Sequence, residues 1–538
     1  MAGGVNPFGF SMGVLPAPRA PRQPKDLPPA PFGFAPPPSK MQQTLAILNE
    51  YNPLPAFERL LKSPMALGGP ISERDIADGL TVAGTVTGGS AAAPKPRNAL
   101  NMGIGMPFGM EISTRFPTAV KKDVDPLNAM LLSDYPSFQQ STVAPHNSAL
   151  VGQTPGLRIP KDATPEQQAQ LYIDQSADNL QFLKSLPSGD ESRRMSMWYD
   201  GANKITKQMA GKYGLPDSSV AGVFAALSPQ KDWFQNVSLG ERVMDIVHMF
   251  GKTPLSTDAI SKAPPALLKP QFSDMLTSIA GKPLASITDP VERALWVRLF
   301  DEANMDRGYR SILPEGDFGE FVTTKAGGNA KVAWGSLNEI AKAIGAIDAN
   351  GDINKISTLM GEKNKVRNFY NNIVAPNSPL GHVTADTHAV AANQMRPLSG
   401  NTPEVAQNFG NALDKKFWPE SGFVAAKGSA KDGVQGTYSL NAEPYRVAAS
   451  REGLLPRQMQ SVGWEVVRSI FPDTFKTAAN AAKVDNIWKN YEKGVISIDD
   501  ARSQILSLSG GYRTPDWFRH DRAVHGTEGH SSYKGKLP

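Results

Sequence analysis

Between Ile353 and Ile373 two apolar stripes follow each other with almost no chain between them, and this constrains the local fold more tightly than any other stretch. Ile353, Ile356, Leu359 and Met360 recur at helical spacing and stop at Gly361, the residue type that most readily takes the positive φ closing a helix. Val366, Phe369, Tyr370 and Ile373 then recur at i, i+3, i+4 and i+7, so a second apolar-faced helix begins at once. The intervening residues leave room only for a tight turn, and the unit reads as helix, hairpin, helix. Its turn carries Lys363, Lys365 and Arg367 beside the free N–H groups of a helix start, a combination that favours a phosphate or another anion. Behind it, His382 to Ala385 reads as a short extended segment running into Asp386, with Thr387 and a helix-compatible AVAANQM run following. Asp386 is placed to cap that helix.

The same reading extends to both sides. Residues 1–158 are rich in Pro, Gly, Ala and Ser and lack sustained periodicity, so they are expected to form a largely disordered arm with short helices, such as the Pro-broken stretch Gln42 to Leu61. PFGF at Pro7 and Pro31 and PFGM at Pro107 are docking motifs on one reading and a by-product of composition on the plainer one. A helical domain is expected over 159–475. Thr164-Pro165 opens it, one helix is expected from Met195 to Tyr213, Ser218 or Ser219 caps the next, and Ser228-Pro229-Gln230 breaks that one. A hairpin is expected around Phe318 to Thr324, Ser336 caps a further helix, and Pro444 opens another. C-terminal helices follow over 476–511, with a capping box at Ser497 to Asp500, and 512–538 is expected to be a flexible basic tail. His520, His525 and His530 in that tail do not make a metal site without nearby carboxylates, and no metal or cofactor is expected. Trp464 among valines, beside Gln458 and Gln460, reads as core rather than groove.

Composition narrows the chemistry. The chain has no cysteine in its 538 residues, which removes disulfides, thiol nucleophiles and thiolate metal sites. A formal net charge of +5 is compatible with nucleic acid without requiring it. No apolar run approaches the ~20 residues needed to cross a bilayer, so no membrane partner is expected.

The central stretch resembles the hairpin and DTH elements of helix-hairpin-helix DNA glycosylases of the endonuclease III-like branch, whose hairpin reads roughly LPGVGRKTA. Laid over it without gaps, Leu359 and Gly361 match the Leu and first Gly, Lys365 falls on the lyase lysine, Asn368 also matches, and Asp386-Thr387-His388 matches the DTH that carries the essential aspartate. Upstream, ALSPQKDWFQNV from Ala226 to Val237 is similar to the family's LLSAQATD segment and puts Gln230 at the glutamine pushed into the DNA stack. Lys363 replaces the hairpin's second glycine, the distance from Gln230 to the hairpin implies an insertion, and the absence of cysteine excludes an iron–sulfur cluster. The order ALSPQ, VRNFY, DTHA is also similar to that of phage-encoded proteins.

The resemblance implies a mainly α, helix-hairpin-helix glycosylase-like domain behind a long disordered Pro/Gly-rich arm. It implies a DNA glycosylase/AP lyase with Lys365 and Asp386 as catalytic residues and damaged or abasic duplex DNA as partner, contacted by Gln230, Trp233, Gly361, Lys363, Arg367 and His388. For Trp233, partly buried packing is an equal expectation. The neighbouring cations Lys363 and Arg367 are expected to favour a neutral Lys365 amine. The alternative is a non-catalytic DNA-binding or virion-associated protein of the same fold, tethered to a larger viral assembly by its arm. A cytoplasmic location follows, in the bacterial host cell if the chain is phage-encoded. The Lys365 and Asp386 pair favours the enzyme.

Overall fold

The computed structural model describes residues 130–132, 151–152, 154–361, 364–400, 402–409 and 437–519. Over these the protein is mainly helical. Most of the expected N-terminal arm, Lys363 and the three tail histidines lie outside the described residues; of the arm, Leu131, Leu132 and Val151 are described and buried, against the expectation of disorder there.

Helix α1 (Pro165–Lys184) starts on a complete capping box, in which Thr164 and Gln167 each satisfy the other's backbone N–H, with proline at the first position. The helix expected from Met195 to Tyr213 is instead two, α2 (Gly189–Met195) and α3 (Trp198–Tyr213). The break at Ser196 and Met197 follows a pull from elsewhere, since Arg194 reaches Glu315 at 2.7 Å, far along the chain. Gly214 then ends α3 in the left-handed conformation. Helix α4 (Asp217–Leu227) begins directly after Pro216 with no side-chain cap. Neither expected serine caps it; Ser219 Oγ accepts the Gly351 N–H at 2.9 Å instead. From Ser219 to Leu227 every residue of α4 is buried, which is the composition of a helix surrounded by others.

Helix α5 (Trp233–Asp245) starts on Asp232 and runs into a π-helical turn, Ile246–Phe250. The proline-punctuated stretch after it holds only short pieces, α6 (Thr257–Ser261) and α7 (Ser273–Ile279), before α8 (Pro290–Asn304). Strands β1 (Arg310–Ile312) and β2 (Phe318–Phe321) pair antiparallel, Ile312 opposite Phe318, where extended structure is expected. Helix α9 (Leu337–Asp348) has the Ser336–Glu339 capping box, and α10 (Ile353–Met360) and α11 (Asn364–Val374) follow with three residues between them. Helices α12 (Thr387–Gln394), α13 (Pro403–Asn408), α14 (Tyr438–Glu452), α15 (Pro456–Ile470), α16 (Ala478–Glu492), α17 (Ile498–Leu508) and α18 (Asp516–Arg519) complete the described chain.

Two features of this last part differ from expectation. Pro444 lies inside α14 rather than at its start, although it withholds an N–H from the ladder. Buried Tyr438, Asn441 and Tyr445 hold the helix together across it. The segment from Tyr512 to Arg519, expected within a flexible tail, is docked: Tyr512 Oη donates to Glu191 at 3.2 Å, and Trp517 meets Trp198 edge-on at 6.2 Å.

Apolar side chains gather into two principal clusters. The first is built from α3 to α5 and α8 to α11, with Phe224, Trp296, Ile340 and Tyr370 fully buried. The second joins α1 to α12, α14 and α15 and to the C-terminal helices, around Leu180, Val390, Tyr445, Val462 and Trp488. The chain crosses from the first to the second between Val374 and Val383, just before Asp386.

Candidate active site

On α11 the residues Val366, Tyr370 and Ile373 turn into the first cluster, as their spacing predicts. Lys365 and Phe369 lie on the adjoining face and line a cleft. The Lys365 amine donates to the carbonyl of Ser228 at 3.1 Å, lies 3.3 Å from that residue's hydroxyl oxygen, and sits 5.6 Å from the centre of the Phe369 ring. Burial disfavours its charged form and lowers its pKa below the usual lysine value; the charges of Asp386 and Glu339 oppose that shift without cancelling it. The cause therefore differs from the one expected from sequence, which was repulsion by neighbouring cations.

Arg367 also departs from expectation. It is fully buried and donates to the carbonyls of Ser357 at 3.3 Å and Gly361 at 3.1 Å, and to the Ser357 hydroxyl at 3.0 Å. It adds a donor to the Ser357 carbonyl, which already accepts the Gly361 N–H at 3.1 Å, and to the Gly361 carbonyl, and a side chain committed to that role is not available to DNA. Its position on α11, two residues beyond Lys365, turns it to the opposite side of the helix. Gly361 itself has φ +65 and ψ −156, a region that essentially only glycine occupies, and it lines the cleft.

Asp386 comes from the second cluster, and its approach is held by amide and hydroxyl groups. Tyr438 Oη donates to the Val383 carbonyl at 2.7 Å and accepts the Ala385 N–H at 2.9 Å. Asn408 donates to the Ala385 carbonyl at 2.9 Å, and Asn372 on α11 donates to the Thr384 hydroxyl at 3.1 Å. His382 Nδ1 lies 3.2 Å from Asn368 Oδ1. So one face of α11 carries Asn368, Asn371 and Asn372, all buried, against the segment that delivers Asp386. Asp386 does cap α12, accepting the Ala389 N–H at 2.9 Å, and it lines the same cleft as Lys365. Its charge acts on Lys365, His388 and Tyr199 together, which makes it the dominant anion of this wall.

The cleft lies between walls drawn from both clusters and has a volume of about 1250 Å³, ample for a nucleotide-sized group. Of the residues expected to contact DNA, Gln230, Trp233, Gly361 and His388 line it. Gln230 is exposed, with φ +56, a conformation that few non-glycine residues adopt. Trp233 is partly buried in packing, one of its two expected roles. It faces the cleft while packing edge-on against Phe224 at 5.6 Å and Phe369 at 5.9 Å. His388 meets Trp464 edge-on at 6.0 Å, and its Nδ1 is buried without a hydrogen-bond partner. Burial, helped by the charges of Lys476 and Arg468, pushes its pKa down to about 4, so the ring is neutral at neutral pH.

On the far wall Trp464, expected in the core rather than in a groove, lines the cleft together with Gln460. Arg468, Phe471 and Lys476 line it too, and the Arg468 guanidinium lies 4.3 Å from the centre of the Trp464 ring. The cleft thus combines aromatic faces with five lining cations, Lys231, Lys342, Lys365, Arg468 and Lys476, against the carboxylates of Asp232, Asp386 and Asp473.

Residues 165–282 match a family of unknown function, DUF7178. The matched segment runs from α1 through α7 and contains Ser228, Gln230 and Trp233, but neither Lys365 nor Asp386. No curated protein and no solved structure matches the chain. Among the described residues, no helix is long and apolar enough to cross a membrane.

Proposed function

We propose that this cleft is the active site of a DNA glycosylase/AP lyase-like enzyme, on a helix-hairpin-helix glycosylase-like fold. The observation that carries the reading is the meeting of a desolvated lysine amine and a carboxylate, delivered by two different apolar clusters, in one cation-rich aromatic cleft. A nucleotide rotated out of the duplex would enter it, at an unstacking cost of a few kcal/mol that a damaged or mispaired base lowers. Gln230, exposed on a strained turn at the rim, fills the gap left in the stack. As the N-glycosidic bond breaks, positive charge develops on the sugar and the Asp386 carboxylate stabilises it. The base leaves with the bonding electrons and takes up a proton. The neutral Lys365 amine donates its lone pair to C1′, and opening of the sugar ring gives a Schiff base. Burial of Lys365 makes that neutral form accessible, and the Ser228 carbonyl aims the amine. The partner is duplex DNA in the cytoplasm, of a bacterial host if the chain is phage-encoded.

Borohydride trapping on an abasic-site duplex tests this. A covalent adduct with the wild type and none with Lys365→Ala is the expected result. The alternative, a DNA-binding or virion-associated protein without catalysis, is favoured by the cap that Asp386 supplies to α12 and by the purely structural engagement of Arg367. No adduct, with salt-sensitive DNA binding intact, would decide for it; loss of DNA binding as well would remove both readings.

A further inference from the structure

Asn236 and Asn364 line the cleft with side-chain oxygens left unpaired, a condition that Asn393 shares away from it. Asn236, on α5, is 1 % exposed and Asn364, at the start of α11, is 8 % exposed, yet the side-chain oxygen of each is buried without a hydrogen-bond partner. Trp233, one turn before Asn236 on the same face of α5, has an indole N–H in the same condition. All three line the cleft that holds Lys365 and Asp386. By contrast, Asn368, Asn371, Asn372, Asn408 and Asn441 are each hydrogen-bonded within the protein. Unpaired buried polar atoms cost stability, and three of them on residues that line one cleft call for a ligand that pairs them.

The inventory of groups identifies the class of that ligand. A phosphate offers acceptors only and leaves both amide oxygens unfilled. Turning either amide over exchanges an unfilled acceptor for an unfilled donor, so the ligand needs N–H donors and lone-pair acceptors together. A carboxamide is planar and pairs side by side with the edge of a planar heterocycle, as asparagine does with adenine. Phe369, beside Lys365, offers a ring face on which such a heterocycle stacks. We infer that Asn236, Asn364 and the Trp233 indole N–H form a base-reading subsite that receives an extruded nucleobase by its hydrogen-bonding edge. This rests on reading the cleft as the place where a nucleotide is received, and it adds the residues that inspect the base to those that act on the sugar.

The full chain is titrated with deoxyadenosine, deoxyguanosine, deoxycytidine, thymidine and deoxyuridine, and with 2-deoxyribose as the control, by saturation-transfer NMR. At least one nucleoside binds saturably through its base protons, and deoxyribose does not compete. Asn236→Leu and Asn364→Leu, which match the side-chain volume without the amide, each weaken that binding at least fivefold. Their melting temperatures are unchanged or higher than wild type, because each removes an unpaired buried group. A merely structural asparagine would give the reverse, a lower melting temperature with binding retained. Absence of binding by all five nucleosides, competition by deoxyribose, or wild-type affinity in both variants overturns the inference. Wild-type trapping on the abasic duplex separates this from the catalytic reading: nucleoside binding without trapping sinks the lyase alone, and trapping without nucleoside binding sinks the base-reading subsite alone.

Discussion

The wall that carries Lys365 is held by apolar packing, with Val366, Tyr370 and Ile373 of α11 buried among Phe224, Ile340 and Ile356. The wall that carries Asp386 is held by directional bonds, from Tyr438, Asn408 and Asn372 to the backbone and hydroxyls of residues 383–385. The reach of the two functional side chains accounts for the contrast. Lysine spans several ångströms on four rotatable bonds, so its helix need only be roughly placed, and the Ser228 carbonyl finishes the aim. An aspartate has almost no reach of its own. Its backbone must be fixed, and hydrogen bonds fix register where greasy contacts permit sliding.

The largest expected effect breaks the two roles of Asp386 apart. Asparagine caps a helix as well as aspartate does, so Asp386→Asn keeps the melting temperature close to wild type while glycosylase or lyase turnover falls at least ~100-fold. Activity assays and thermal melts on the same preparation check this; turnover that survives would leave Asp386 as a cap alone. Next in size is an acid effect confined to the polar wall. Burial holds His382 down to about 3 and His388 down to about 4, both below their unfolded value. With a depressed folded pKa, the unfolded chain takes the protons first, so stability is lost as pH falls below ~6.5, by about 2 kcal/mol per histidine between pH 7 and 5. Urea midpoints at the two pH values measure it, and His382→Asn should remove part of the slope, whereas Ile373→Ala on the apolar wall should lower stability equally at both. A smaller effect sharpens the contrast further. Asn371→Ala strips the bonds to Leu132 and the contact with His382 and should cost about 2 kcal/mol in urea denaturation.

What the sequence made legible was local. The caps at Thr164 and Ser336, the capping box at Ser497, the two helices around Gly361 and the cap at Asp386 are each written in a handful of adjacent residues, and each is present. What escaped depends on chain far away. Arg367 looks like a solvated cation until it is seen buried against the carbonyls of Ser357 and Gly361. Trp464, at helical spacing among valines, read as core rather than groove, yet it lines the cleft while the valines fill the core. The asparagines of α11 share a face at i, i+3 and i+4, but their partners at residues 382–384 meet them only after the chain has turned back. Pro444 marked a helix start by local rules and was overruled by the burial of its neighbours.

The clasp on Leu132 has a mechanical meaning. Asn371 accepts the backbone N–H of Leu132 at 2.8 Å and donates to its carbonyl at 3.3 Å, and Asn371 belongs to the same helix as Lys365. Together with the burial of the Leu132 side chain in the first cluster, that amide fastens an early piece of the chain, more than two hundred residues away in sequence, to the helix that carries the amine.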